Sequence, residues 1–125
     1  MRDILFRGKR TDNGKWVYGL LCRVGDTYAN IRRMDTGFLY SVLTNTIGQF
    51  TGLTDKNGRK IFEGDIVKTS HGGSTYYAKI EWDSGSFWVT NHDIQMPNYI
   101  SEVSRTYLEI IGNIYDNPEL LEVTE

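Results

Sequence analysis

The chain has 125 residues, 39% apolar and 24% charged, which excludes a disordered polymer and leaves enough apolar material for one domain's core. Acidic and basic residues are interleaved and the formal net charge is −2, which argues against wholesale phosphate binding while leaving local basic patches open. Thirteen glycines against two prolines, with eight tyrosines, five phenylalanines and three tryptophans, point to many short strands joined by tight turns.

The opening residues, MRDILFRGKR, carry a charge every few positions, unlike a signal peptide, and no apolar run reaches the roughly 18 residues of a spanning helix. With the single Cys22 unable to form an intramolecular disulfide, a cytoplasmic protein is expected. A strand-like segment from Ile4 to Arg10 leads to Asp12-Asn13-Gly14, where Asn13 and Gly14 supply the positive φ of a tight hairpin. In the next segment Trp16, Tyr18, Leu20, Cys22 and Val24 recur every second residue, so they are expected to form the apolar face. On that face Cys22 would be an inert packing group. Gly25-Asp26 then turns the chain into a strand over Tyr28 to Arg33. Met34-Asp35-Thr36-Gly37 turns it into Phe38 to Leu43, and Thr44-Asn45-Thr46 is a short polar connection.

The stretch Ile47 to Thr69 organises the remainder. It contains a turn at Asp55-Lys56-Asn57-Gly58, an apolar step at Ile61-Phe62 and a second turn at Glu63-Gly64-Asp65. Asn57 and Gly58 suit a tight hairpin, and Gly64 can break a strand without a Cβ penalty before Ile66 to Thr69 resumes it. His71 to Ser74 is a loose turn. Thr75 to Trp82 alternates, with Tyr76, Ala78, Ile80 and Trp82 expected inward, and Asp83-Ser84-Gly85 turns into Ser86 to Thr90. These three strands have the size and spacing of an SH3-like meander. Asn91 to Thr106 admits one or two helical turns near Asn98 to Val103, or an irregular loop around Pro97. Tyr107 to Tyr115 reads as a strand with Leu108, Ile110 and Ile114 on one face and a bulge at Gly112. Asn117, Pro118 and Glu119 then open a short C-terminal helix. The expected fold is mostly β and a single domain over residues 1–125. Within it a β-hairpin subdomain covers 1–46 and an SH3-like β roll or barrel covers 47–125.

Three blocks resemble the YopX family of phage and prophage proteins: Phe6-Arg7-Gly8 through Trp16-Val17-Tyr18-Gly19, the central GQFTGLTDKNGRKIFEGDIV, and the C-terminal YLEIIGNIYDNPELL. They occur in the family's order and cover nearly the whole chain. The resemblance implies an SH3-like β roll in the second half with additional N-terminal β elements. It also implies a bacterial host cytoplasm, an origin in a mobile element and a tendency to form homo-oligomers. It brings no catalytic residues and no cofactor.

Several groups invite a chemical reading. Glu63 and Asp65 flank Gly64 and could hold a cation or a proton, but an aspartate at a turn more often braces backbone N–H groups. His71, His92 and Asp93, with Cys22, match no zinc spacing, so no metal is assigned. Gly72-Gly73-Ser74 lacks the lysine and following helix of a phosphate loop. Arg7, Arg10, Arg32 and Arg33, with aromatics between them, are the candidate nucleic-acid contacts. Tyr77 and Trp88 fall opposite the expected core faces and are the candidate partner surface. The preferred reading is a homo-oligomeric, non-enzymatic module that binds a host or phage protein. A nucleic-acid-binding module is the alternative, and an enzyme comes last because no constellation joins a nucleophile, a base and oxyanion donors.

Overall fold

The computed structural model describes residues 5–71, 73–83, 85–90, 98–99 and 107–122. Its strands in chain order are β1 (Phe6–Lys9), β2 (Trp16–Val24), β3 (Tyr28–Arg32), β4 (Leu39–Leu43), β5 (Gly48–Thr54), β6 (Lys60–Phe62), β7 (Asp65–His71), β8 (Ser74–Asp83), β9 (Ser86–Thr90), β10 (Asn98–Tyr99) and β11 (Glu109–Asn113). The chain divides into two compact units, Met1–Phe50 and Thr51–Glu125. The division falls inside β5, four residues beyond the subdomain boundary expected from the sequence.

In the first unit the strands are ordered β4-β3-β2-β1-β5, all antiparallel. Gly14 takes a positive φ of 71° at the β1–β2 turn, and the Asn13 side-chain oxygen accepts the Lys15 N–H at 2.9 Å. The buried cluster is Val17, Ala29, Ile31 and Val42, with Phe6, Leu21, Tyr40 and Ile47 packed against it. The inward face of β2 is therefore Val17, Gly19 and Leu21, the reverse of the alternation expected for Trp16 to Val24. Tyr18 and Leu20 are exposed, and so is Cys22, which is no packed thiol. Two apolar sets alternated on this strand, and what decided between them was the partner strand. Gly8 sits against Val42 and Ile31, where a Cβ would come within 3.0 Å of Val42. At Gly19 a Cβ would overlap the Arg32 carbonyl oxygen, so only glycine lets β2 and β3 approach there. A register shift between Leu21 and Arg23 then leaves Cys22 as the extra residue of a bulge.

Past β1, Arg10 bridges to Val42 and the Thr11 N–H donates to the Ser41 carbonyl at 3.0 Å, so the end of β1 meets β4. The polar connection Thr44–Thr46 is a 3-10 turn. Its buried Thr46 hydroxyl donates to the Leu43 carbonyl at 2.7 Å and accepts the Lys9 N–H at 2.9 Å.

In the second unit β5 continues with β6 as its neighbour, and a five-stranded antiparallel sheet runs β10-β9-β8-β7-β11. Ile61, Val67, Ala78, Ile80, Val89, Leu108 and Ile110 form the core, with Leu53 and Phe87 against it. The connection between β7 and β8 is tighter than the expected loose turn, because His71 and Ser74 are themselves a paired position. Trp82 departs from the expected inward set. It is half exposed and meets Phe87 edge-on with ring centroids 4.7 Å apart.

The bulge expected at Gly112 is present as a register shift between Ile110 and Gly112. Asn98–Tyr99 is a strand paired with β9 rather than a helical turn, and the rest of 91–106 lies outside the described residues. Two further expectations change. Among the described residues the sheet is open, with no hydrogen bonding that closes it into a barrel. The C-terminal helix is only a 3-10 turn over Pro118–Glu122. The Asn117 side chain is turned back onto the Asn113 N–H at 3.3 Å, packing where a Gly112 Cβ would lie, and so it does not cap a longer helix.

Candidate functional site

With Val17, Gly19 and Leu21 turned to the core, the opposite face of the first unit carries Tyr18 and Leu20 on β2, Tyr28 on β3 and Leu39 on β4. Cross-strand pairing sets Leu20 beside Arg32 and Arg32 beside Leu39, so the three form one row across the sheet. Tyr28 is 59% exposed, and in the following turn Met34 is 67% and Phe38 64% exposed. Seven of the nine large hydrophobic residues exposed among the described residues belong to this unit. A concentration of this kind marks an interaction surface more often than scattered single residues do.

A cleft of about 400 Å³ opens where β1 ends, β2 begins and β3 hands over to β4. Leu5, Trp16, Val17, Tyr18, Met34 and Tyr40 supply apolar and aromatic walls, and Arg10, Arg33 and Asp35 supply the charges. Both arginines belong to the same local motif, Arg-x-Asp, at the start of a turn. Arg10 donates from Nε to Asp12 at 2.9 Å and from Nη2 at 2.6 Å. Arg33 donates in the same two-pronged way to Asp35 at 3.0 and 2.6 Å. These charge-assisted forks hold the Asp12 and Asp35 carboxyls below the usual carboxylate range and push each guanidinium further up. Arg10 also lies over the Tyr40 ring, 4.4 Å from its centroid, and Arg33 lines the same cleft as Tyr40.

The four arginines named from the sequence do not act as one surface. Arg10 and Arg33 converge on the cleft. Arg7 is buried, its guanidinium 4.7 Å from the Trp16 ring centroid, so it does not present a phosphate contact. Arg32 donates to the Gly37 carbonyl at 2.8 Å on the outer face. Tyr77 and Trp88 share the face of the second sheet opposite its core, paired across strands with Lys68 and Glu81 respectively. Both are half-buried, and the Trp88 indole N–H donates to the Asp83 carbonyl at 2.8 Å. His92, Asp93 and the His71 side chain lie outside what is described. No group of three or more His, Cys, Asp or Glu that could hold a metal occurs among the described residues.

Asp65 braces its turn as expected, accepting the Phe62 N–H at 2.8 Å, and it is buried, while Glu63 is half-buried. Sequence reasoning missed Asp55. It is 2% exposed and accepts three backbone N–H groups, from Asn57 and Arg59 within its turn and from Ile110 on β11, each at 2.9 Å. Burial disfavours its charge, but the N–H groups of Ile110, Arg59 and Asn57 together outweigh burial and hold the carboxyl below its usual value. An aspartate two residues before the asparagine of Asn-Gly, primed to fold its side chain over the turn, was the signal available.

Residues 5–122 match the family described as YopX protein. The chain belongs to the YopX family. Two solved structures resemble this YopX-family chain along essentially all of its length. The crystal structure of yopX from Bacillus subtilis is 23% identical, covers 100% of both chains and superposes with a TM-score of 0.63. The crystal structure of protein EF1440 from Enterococcus faecalis is 24% identical, covers 97% of this chain and 99% of its own, and gives a TM-score of 0.61. At these identities the likeness is one of fold. No curated protein matches the chain. No helix among the described residues is long and apolar enough to cross a membrane.

Proposed function

We propose that this YopX-family chain is a non-enzymatic accessory protein of phage or prophage, cytoplasmic, which self-associates and works by binding. The observation that carries the reading is the outer face of β2, β3 and β4, where Leu20, Tyr28 and Leu39 are exposed while the same strands pack a separate core. A second copy is the proposed occupant. Self-association is what the family resemblance implies, and a sheet face can meet its own copy isologously, each residue row contacting its counterpart. Tyr77 and Trp88 are less suited to lead this contact, being half-buried. The SH3-like description of the second unit rests on the same resemblance and on the β7–β8–β9 meander.

The nucleic-acid alternative loses ground on charge. Two of its four arginines are neutralised by adjacent aspartates and a third is buried, which leaves no continuous track for a phosphate backbone.

Sedimentation of the full chain decides between surfaces. The wild type is expected well above the monomer mass, and a Leu20→Ser/Leu39→Ser variant with an unchanged melting profile is expected at the monomer mass. A wild type that sediments as a monomer rejects self-association. An oligomer that survives the double change but dissociates in Tyr77→Ser/Trp88→Ser moves the interface to the second unit.

A further inference from the structure

The cleft of the first unit has features that an oligomer surface does not need. Two guanidiniums face one aromatic-walled space, and only one of their carboxylate partners, Asp35, lines it. Each aspartate engages Nε and Nη2 of its arginine, which fixes the plane of the guanidinium and leaves its Nη1 edge outside the pair. An arginine carries five N–H donors, so a fork held in this way still presents donors to a second anion. The pairing lowers the long-range field, which is why the surface does not suit a charged polymer track. It also fixes the local geometry, which suits the capture of a single group.

We infer that the cleft binds one phosphate group attached to a planar ring, the chemistry of a nucleoside monophosphate, with the phosphate shared by Arg10 and Arg33 and the ring against Trp16, Tyr18 and Tyr40. A phosphate has three terminal oxygens and can satisfy two forks at once, whereas a carboxylate's two oxygens are matched by one. Aromatic walls stack any base, and a volume of about 400 Å³ lies within the range of small-ligand sites. The ligand has two possible sources, a free mononucleotide or the phosphorylated end of a strand. Tyr18 belongs to both surfaces, but Leu20 and Leu39, the residues varied to test self-association, do not line the cleft, so the two readings are tested separately.

Calorimetric titration of the full chain tests it, with 5′-AMP, adenosine, inorganic phosphate, and a short single-stranded oligonucleotide with and without a 5′-phosphate as probes. The expected result is one site per chain for a nucleotide phosphate, with adenosine and inorganic phosphate each at least tenfold weaker. Arg10→Gln and Arg33→Gln should each weaken binding tenfold or more at an unchanged melting temperature, and Arg33→Lys, which keeps charge but loses the fork, should fall between. Binding of AMP assigns the site to free nucleotides. Binding of the 5′-phosphorylated strand without AMP assigns it to strand ends. No heat from any phosphorylated probe at millimolar concentration overturns the inference, and so does binding that the folded arginine variants leave unchanged.

Discussion

Asp55 and Asp65 in the second unit are buried and directed at backbone N–H groups, whereas Asp12 and Asp35 in the first are exposed and directed at arginines. The same residue type does different work in the two places. Asp55 satisfies donors that the turn and β11 would otherwise bury unpaired, so it ties two chain segments far apart in sequence into one unit. Asp12 and Asp35 instead fix the orientation of side chains that face solvent. Apolar residues divide in the same way, with seven exposed large ones in the first unit and two, Trp82 and Tyr107, in the second. The second unit turns these carboxylates and nearly all its large apolar residues inward, where they add stability. The first keeps its own core but leaves these carboxylates and more large apolar side chains at the surface, where they can be presented.

The largest effect is expected where a buried anchor is removed. Asp55→Ala strands three backbone N–H groups and should cost about 4 kcal/mol in denaturant unfolding. A cost below about 1 kcal/mol would remove the contrast between the units. The same carboxylate sets an acid limit. Its folded pKa is depressed, so its contribution is fully present above the unfolded carboxylate value and fades as pH falls through the folded one. Unfolding midpoints measured down from pH 6 should hold steady to about pH 4 and then decline, and Asp55→Asn should flatten that decline.

Gly19→Ala comes next, at about 3 kcal/mol, because the added Cβ must displace the Arg32 carbonyl and with it the β2–β3 pairing. Hydrogen exchange should show the loss confined to the first unit. Protection lost equally in both units would mean that they unfold together. The smallest effect is expected at Cys22. The thiol is exposed, so Cys22→Ser should change stability by no more than about 0.5 kcal/mol. A thiol reagent should titrate one group per folded chain, and a thiol that reacts only after denaturation would restore the buried reading.

Much of the fold could be read from the sequence because turns are local. Asn13-Gly14, Asn57-Gly58 and Gly64 all sit in turns, with positive φ at the three glycines, and the strand from Ser86 to Thr90 has the expected bounds. The candidate site was only half legible. Arg10 and Arg33 were singled out as basic residues, but they lie 23 positions apart, and nothing local shows that both end beside Tyr40. Arg7 was named for the same reason and proved buried against Trp16. Charge is visible in a sequence, and whether water reaches it is not.

The sequence by itself determined where most turns fall and most of the strands, though not those at Gly48–Thr54 and Asn98–Tyr99, since turns and strands follow from glycine's freedom at positive φ and from β-branched and aromatic runs. It also determined family membership, through blocks that keep fixed order. Only the tertiary structure decided which face of β2 is inward, because two apolar sets alternate there and the choice lies with Ile31 and Val42 on other strands. It likewise decided that Asp55 is a buried anchor, since the N–H group of Ile110 comes from 55 residues away. Burial depends on what the rest of the chain places opposite a residue, and that is not a local property.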